Sequence, residues 1–404
     1  MRNYWFLDRN WLKWPEIVVR KEFLPFSTPT IEEDEINEVV DSLRSGWITT
    51  GPKVKRFEEQ FKSYVGAPYA VPLSSATAGL HLAMLALGFG KGDEVLTTPM
   101  TFASTVSMIV LAGATPVLVD IEPGTLNLDA GKIREKITDR TKAIIPVHFA
   151  GQACDMDPIF ALAREFNLTV IEDAAHAAGT EYKGRKIGSF DSISIFSFHP
   201  NKNITTGEGG MLCTPDEALA EEISLLKFHG MNREAWKRFS AQGNPGYDIM
   251  LPGFKYNMMD IQAAMGLHQL PKLDAFIARR SMIADFYNHA FADVEELQVP
   301  AHAPYAQRHA WHIYTPLIRI EKLTIDRDRF MAELKALNIG SGLHYKAIHH
   351  HAWFREHLPV PAGSLPNADY ASGRILSLPL FPRMTMDDAR DVVEAVKNVI
   401  ARNR

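Results

Sequence analysis

The chain has 404 residues, 46% of them hydrophobic and 23% charged, with a formal net charge of −5. This is the composition of an ordinary globular protein, and the length exceeds what one hydrophobic core usually organises, so a large domain with a smaller companion is expected. The acidic balance excludes general nucleic-acid binding while leaving room for a local basic pocket around an anionic ligand.

Trp5, Phe6, Trp11 and Trp14 crowd into an arm of residues 1–24 that precedes the first regular element. Asp8, Arg9, Lys13 and Glu16 interrupt those aromatics, so the arm has no secretory pattern. From Thr30 the periodicity predicts helices over 32–45, 57–65 and 75–87. Strands at 93–97, 115–120, 143–147 and 168–172 then alternate with helices at 102–112, 130–137 and 158–165. Such alternation implies a parallel sheet with crossover helices, and ligands bind such sheets at the carboxyl ends of the strands. Beyond Leu270 the pattern becomes long amphipathic stretches: a helix at 273–294, a strand at 312–320, and helices at 327–337 and 387–401. The expected organisation is therefore the arm, a large α/β domain over 25–270 and a small α+β domain over 271–404. Cys154 and Cys213 are the only cysteines, too few for a disulfide framework. No apolar run approaches the roughly 20 residues of a membrane helix, so a cytoplasmic location is expected.

The residues after each strand carry the chemistry. Phe196-Ser197-Phe198-His199-Pro200-Asn201-Lys202 is an apolar run ending at one lysine before the turn Thr206-Gly207-Glu208-Gly209-Gly210. Aromatic surroundings would strip water from an ammonium and lower its pKa towards the nucleophilic amine that forms a Schiff base. Pairing with Glu208 is the alternative for that lysine. Asp173 closes the apolar strand Thr169-Val170-Ile171, where a buried carboxylate needs a cation, or else it caps a helix over Ala174-Ala175-His176-Ala177-Ala178. Ser74-Ser75-Ala76-Thr77-Ala78-Gly79 opens a helix with small residues, as an anion cradle or an ordinary cap. Phe102, in a strand-to-helix loop, is either core or a ring to lie on a planar ligand. An imine lysine, a carboxylate for a pyridinium nitrogen, a phosphate cradle and a stacking ring are together the requirements of pyridoxal 5′-phosphate.

From about Phe23 onward the chain also resembles the DegT/DnrJ/StrS sugar-nucleotide aminotransferases, which have the aspartate-aminotransferase fold, type I among pyridoxal-phosphate enzymes. The motifs that carry the resemblance include Gly46-Trp47-Ile48-Thr49-Thr50-Gly51-Pro52, Gly92-Asp93-Glu94-Val95 and Glu172-Asp173-Ala174-Ala175-His176-Ala177. Ser75-Ala76-Thr77-Ala78, Ser197-Phe198-His199 with Lys202, Thr206 to Gly210, and Gly253-Phe254-Lys255-Tyr256-Asn257-Met258-Met259-Asp260 complete them. The resemblance implies Lys202 as the Schiff-base lysine, Asp173 as pyridinium partner and Phe102 on the ring. It implies Ala76, Thr77 and Ser197 around the phosphate, Asn257 reaching it from the neighbouring subunit, and a homodimer with composite sites. His176 stands where many relatives carry Gln, and either can reach the cofactor's phenolic oxygen.

Within the family the chain is most similar to the enzymes making UDP-4-amino-4-deoxy-L-arabinose, which implies transfer of the amino group of L-glutamate, giving 2-oxoglutarate, to carbon 4 of a 4-keto nucleotide sugar. The aromatic arm and the Pro200-Asn201 pair depart from that subgroup. Trp47, Arg233, Arg238, His312, Tyr314 and His344 are candidates for the sugar and nucleotide site, with Lys237 and Tyr345 beside them. The run His349-His350-His351 is expected to hold no metal, because adjacent residues rarely converge on one ion and no carboxylate has ligand spacing with them. A sensor that binds the cofactor without turnover and a sugar dehydratase are the alternatives; Lys202 speaks against the dehydratase, which needs that lysine replaced.

Overall fold

A computed structural model describes residues 20–232, 247–358 and 360–404. Trp5, Phe6, Trp11 and Trp14 of the arm, and Arg233, Lys237 and Arg238, lie outside the described residues. Two helices, α1 (Glu33–Ser45) and α2 (Pro52–Val65), lead into β1 (Tyr69–Leu73). There follow α3 (Ala76–Ala86), β2 (Glu94–Thr97), α4 (Ala103–Leu111), β3 (Thr115–Leu118), β4 (Thr141–Ile145), α5 (Met156–Phe166) and β5 (Thr169–Asp173). A short hairpin, β6 (Glu181–Tyr182) and β7 (Arg185–Lys186), precedes β8 (Ile193–Ser197), β9 (Gly210–Thr214) and α6 (Glu217–Leu226).

Seven strands form one sheet in the order β1-β9-β8-β5-β4-β2-β3. The pairs from β3 across to β8 are parallel, while β9 runs antiparallel to both β8 and β1. Alternate residues of each strand go to opposite faces, as the period of two requires. Leu96, Ile144, Val170 and Phe196 pack on one side, and Val95, Ile145, Ile171 and Ile195 on the other. Both faces are covered by helices, which is why the strands read as nearly continuous apolar runs. On the first face Phe57 and Phe61 of α2 meet Phe198 at 5.2 Å, and Phe61 meets Phe196 at 5.0 Å, all edge-on. Each such buried ring contributes roughly 1.5–3 kcal/mol by transfer from water.

The chain continues through α7 (Asp260–Gln269), α8 (Leu273–Phe291), β10 (Leu297–Gln298), β11 (Leu317–Ile318), α9 (Arg327–Ala336), α10 (Ala352–His357), α11 (Pro366–Ser372) and α12 (Met386–Arg402). Here α8, α9 and α12 enclose a second core that includes Ile283, Tyr287, Phe330, Leu334, Val392 and Val396. The amino half of α8 belongs to the first core through Leu273 and Ile277, and its carboxyl half to the second through Tyr287 and Phe291. The described end of the arm joins this region: Leu24 is buried, its N–H donating to Asn338 O at 2.9 Å, and Arg20 pairs with Asp388 at 2.6 Å.

Three expectations differ from the structure for identifiable reasons. The helix expected over 57–65 begins five residues earlier, since Pro52 suits the first helical turn and Asp260 accepts the N–H groups of Lys53 (3.1 Å) and Val54 (3.0 Å). The helix expected over 130–137 is two short 3-10 turns, Ala130–Lys132 and Arg134–Lys136, in a segment weakened by Gly131. Of the strand expected over 312–320, only Leu317–Ile318 joins a ladder, because Pro316 has no N–H to donate and Trp311 takes a φ of 45°.

Candidate active site

The sheet's directions gather the functional residues. With β9 antiparallel to both neighbours, β1 runs the same way as β8, so β1, β2, β5 and β8 all end at one edge. Residues that follow those ends are then neighbours in space: Ala76 and Thr77 after β1, Phe102 after β2, Asp173 and His176 at β5, and Ser197 closing β8. All six line one cavity of about 420 Å³, as does Lys202 in the turn between β8 and β9, and His344 with Tyr345 form the wall contributed by the C-terminal part of the chain.

Close packing makes the cradle at the start of α3. Ser75 caps the helix by accepting the N–H of Ala78 at 3.1 Å, leaving the N–H groups of Ala76 and Thr77 without helical acceptors. Gly210 opens β9 directly beneath, and a Cβ there would lie 2.4 Å from the carbonyl carbon of Ser75 and 2.6 Å from Ala76 N. Only glycine lets the strand approach so closely. Gly79, one turn into α3, serves the helix's contact with the sheet, since a Cβ there would meet Ile195 at 2.8 Å.

Asp173 is buried, and its carboxylate is held from two sides: Thr105 Oγ1 donates to it at 2.7 Å and the N–H of Ala175 at 3.1 Å. The helix expected over 174–178 is absent, the segment forming tight turns, so Asp173 caps no helix. Lys202 makes no ion pair with Glu208 or with any other described residue, and Glu208 instead receives Thr206 and Gln262 at its carbonyl, both at 2.7 Å. Burial therefore lowers the Lys202 pKa to about 8, with the charge of Asp173 opposing the shift. Burial also depresses His344, to about 4, with a further push from Lys202. Phe102 lines the open side of the cavity, 59% exposed, with its ring 6.3 Å from that of Tyr345.

Other candidates lie elsewhere. Asn257 is outside the cavity of its own subunit, donating to Thr50 Oγ1 at 2.7 Å. Trp47 is a surface residue packed against Gly51, close to Asp260. His312 is buried behind His176, ring centroids 4.3 Å apart, rather than at the cavity wall. Tyr314 belongs to the second core, its ring 5.0 Å from Tyr287 and its hydroxyl donating to Asn288 Oδ1 at 2.8 Å, so its place as a substrate contact is corrected: burial among aromatics turns it away from the cavity. The view of the histidine run is corrected in one respect: His349 and His350 do converge, at 2.7 and 2.9 Å from Asp369 Oδ1, a carboxylate brought in by α11. Sequence reasoning missed Thr105 and Lys346, the latter also lining the cavity. Thr105 lies in the first turn of α4, just beyond a strand end, and that position was the available signal.

A fold of this topology with a lysine, a buried carboxylate and a helix-start cradle around one cavity is the arrangement of a pyridoxal-phosphate enzyme. Comparison with known proteins agrees over nearly the whole chain. The model of the DegT/DnrJ/EryC1/StrS aminotransferase family matches residues 29–397, and the chain belongs to that family. It is 50% identical over 387 residues to the uncharacterized protein MJ1066 of Methanocaldococcus jannaschii, covering 96% of this chain and 100% of that one. It is 47% identical over 383 residues to the spore coat polysaccharide biosynthesis protein SpsC of Bacillus subtilis, covering 94% and 98%. Among solved structures, the sugar aminotransferase assigned as Spr1654 of Streptococcus pneumoniae, in its PMP form, superposes with a TM-score of 0.85 at 35% identity, covering 94% of this chain and 98% of that one. The protein is thus a sugar aminotransferase that uses pyridoxal 5′-phosphate. Its residues fit that cofactor: unpaired N–H groups and the glycine-floored approach at one end of the cavity, with a carboxylate and an amine of lowered pKa also lining it. Among the described residues no helix is long and apolar enough to cross a membrane.

Proposed function

We propose that the enzyme moves the amino group of L-glutamate to carbon 4 of a nucleotide-linked 4-keto sugar destined for a cell-envelope polysaccharide. The observation that carries the site assignment is that Lys202, Asp173 and the start of α3 share one cavity, with no carboxylate paired to the lysine. Bound pyridoxal phosphate supplies an electron sink for the pair left when the donor's α-proton departs. Asp173, fixed by Thr105 and Ala175, holds a proton on the pyridine nitrogen by charge. Ala76, Thr77 and Ser197 would hold the phosphate through N–H and hydroxyl donors, and Phe102 would offer a ring for the cofactor to stack on. Lys202 would anchor the cofactor, take the proton from the donor's α-carbon and later deliver one to the sugar's carbon 4.

The kinship with a spore coat polysaccharide protein supports a cell-surface sugar as product. His344 is the sugar-site candidate retained, being at the cavity. We assign the surface around Asn257, which binds Thr50 and is flanked along the two segments by exposed Trp47, Ile48 and Met259, to a twofold contact that brings Asn257 to the partner's phosphate site.

The test is the absorption of the purified protein between roughly 320 and 430 nm, before and after L-glutamate, followed by a panel of 4-keto sugar nucleotides. The expected result is a band that glutamate converts and one keto sugar restores, which also names the sugar. A band indifferent to glutamate but converted by another amino donor would overturn the donor assignment, and restoration only by 3-keto sugars would overturn the position of amination.

A further inference from the structure

The hydrogen bonds around His176 have a direction. The N–H of Ala150 lies 3.3 Å from His176 Nδ1, and a backbone N–H can only donate, so Nδ1 carries the lone pair and Nε2 the proton. Burial, reinforced by the charges of Lys202 and His344, holds the ring far below its ordinary pKa, so it carries one proton only. His312, the ring packed behind, makes no hydrogen bond at either nitrogen and exerts no pull on this arrangement. Nε2 faces the hydroxyl of Tyr345 at 2.9 Å, so the imidazole donates and the phenol oxygen accepts. The phenol's own proton must then point elsewhere. No other described residue accepts it, and Tyr345 stands on the cavity wall between His176 and Phe102, its ring 6.0 Å from one and 6.3 Å from the other. Burial and the charge of Asp173 keep the phenol protonated across the neutral range.

We propose that Tyr345 donates a hydrogen bond to an oxygen of the bound ligand, its proton aimed into the cavity by His176, whose tautomer Ala150 fixes. Tyr345 is then a ligand-touching residue and His176 a positioning one. The ligand chemistry is an acceptor oxygen, from either the cofactor's ring or the keto group of the acceptor sugar. Only the identity of the ligand rests on the aminotransferase reading; the direction of the relay does not.

The first measurement is the nitrogen-15 spectrum of the full-length apoprotein labelled at histidine, with His176→Gln identifying the resonance. The Nε2–H tautomer is expected, and the Nδ1–H tautomer would overturn the proposal. The second is Tyr345→Phe in the full chain. If the cofactor supplies the oxygen, its equilibrium affinity for the apoprotein falls about five- to tenfold. If the sugar supplies it, cofactor affinity holds and KM for the keto sugar rises by a similar factor, with the glutamate half-reaction unmoved. His176→Gln should lose less than His176→Leu in both readouts, since the amide oxygen can accept from Ala150 while the amide nitrogen donates to Tyr345; His176→Leu should behave as Tyr345→Phe. A silent Tyr345→Phe, or a His176→Gln as impaired as His176→Leu, overturns the proposal. Failure of the aminotransferase reading would look different: a wild-type apoprotein with no affinity for pyridoxal phosphate, whatever its tautomer.

Discussion

At the scale of single residues, the site depends on burial and charge acting on Lys202 in opposite directions. An apolar surround pushes the amine of Lys202 towards neutrality, and the carboxylate of Asp173 restrains it. An ordinary lysine, with a pKa near 10.4, would capture the cofactor's aldehyde faster with every increment of pH up to that value, because only the free amine attacks. Here the capture rate of the apoprotein should rise with pH and level off above about 8, followed by stopped-flow absorbance. A profile still climbing at pH 10 would show that the lysine is solvated. Asp173→Asn should retain part of the cofactor but lose several orders of magnitude in kcat, since the counter-charge to the pyridine proton is gone; single-turnover kinetics with glutamate measures it. Lys202 and Asp173 are legible from the chain because Asp173 closes an apolar strand and Lys202 follows an apolar run into a polar turn. Thr105 is not, because its hydroxyl gains meaning only when α4 is laid against β5. Tyr314 and Tyr345 look equivalent in the sequence, and only the tertiary fold buries one and leaves the other at the cavity.

At the scale of elements, the cradle exists because a strand passes unusually close to a helix start. Gly210→Ala inserts a methyl group where 2.4 Å separates it from Ser75, and the helix start must move. Overpacking of this kind costs about 1–3 kcal/mol, so affinity for the cofactor should fall about tenfold or more in equilibrium dialysis. Gly373→Ala, with nothing within 4 Å and an ordinary φ of −80°, should leave it unchanged. The strands with helices between them are readable from periodicity, and β2, β3, β4 and β5 lie where the pattern puts them. The strand expected over 312–320 fails at Pro316, a residue that forbids regular pairing whatever its apolar neighbours suggest. The 130–137 segment fails because eight residues with a glycine inside make a marginal helix without tertiary support.

At the scale of the whole molecule, the proposed composite site makes a claim that one subunit cannot satisfy alone. Lys202→Ala and Asn257→Ala proteins should each be nearly inactive, yet their mixed dimers carry one site free of both changes. Mixing the two under conditions that exchange subunits should therefore restore a substantial fraction of turnover, measured by coupled 2-oxoglutarate release; no recovery in verified mixed dimers would place Asn257 in its own subunit's site. One further consequence follows from α8, whose amino half lies in the first core and carboxyl half in the second. A helix anchored at both ends in this way cannot fray from one core without stripping side chains out of the other. Thermal denaturation should accordingly be cooperative across the chain, giving a single calorimetric peak rather than two, whereas Tyr287→Ala, which loosens only the carboxyl anchor at a cost of about 3–5 kcal/mol, should split it.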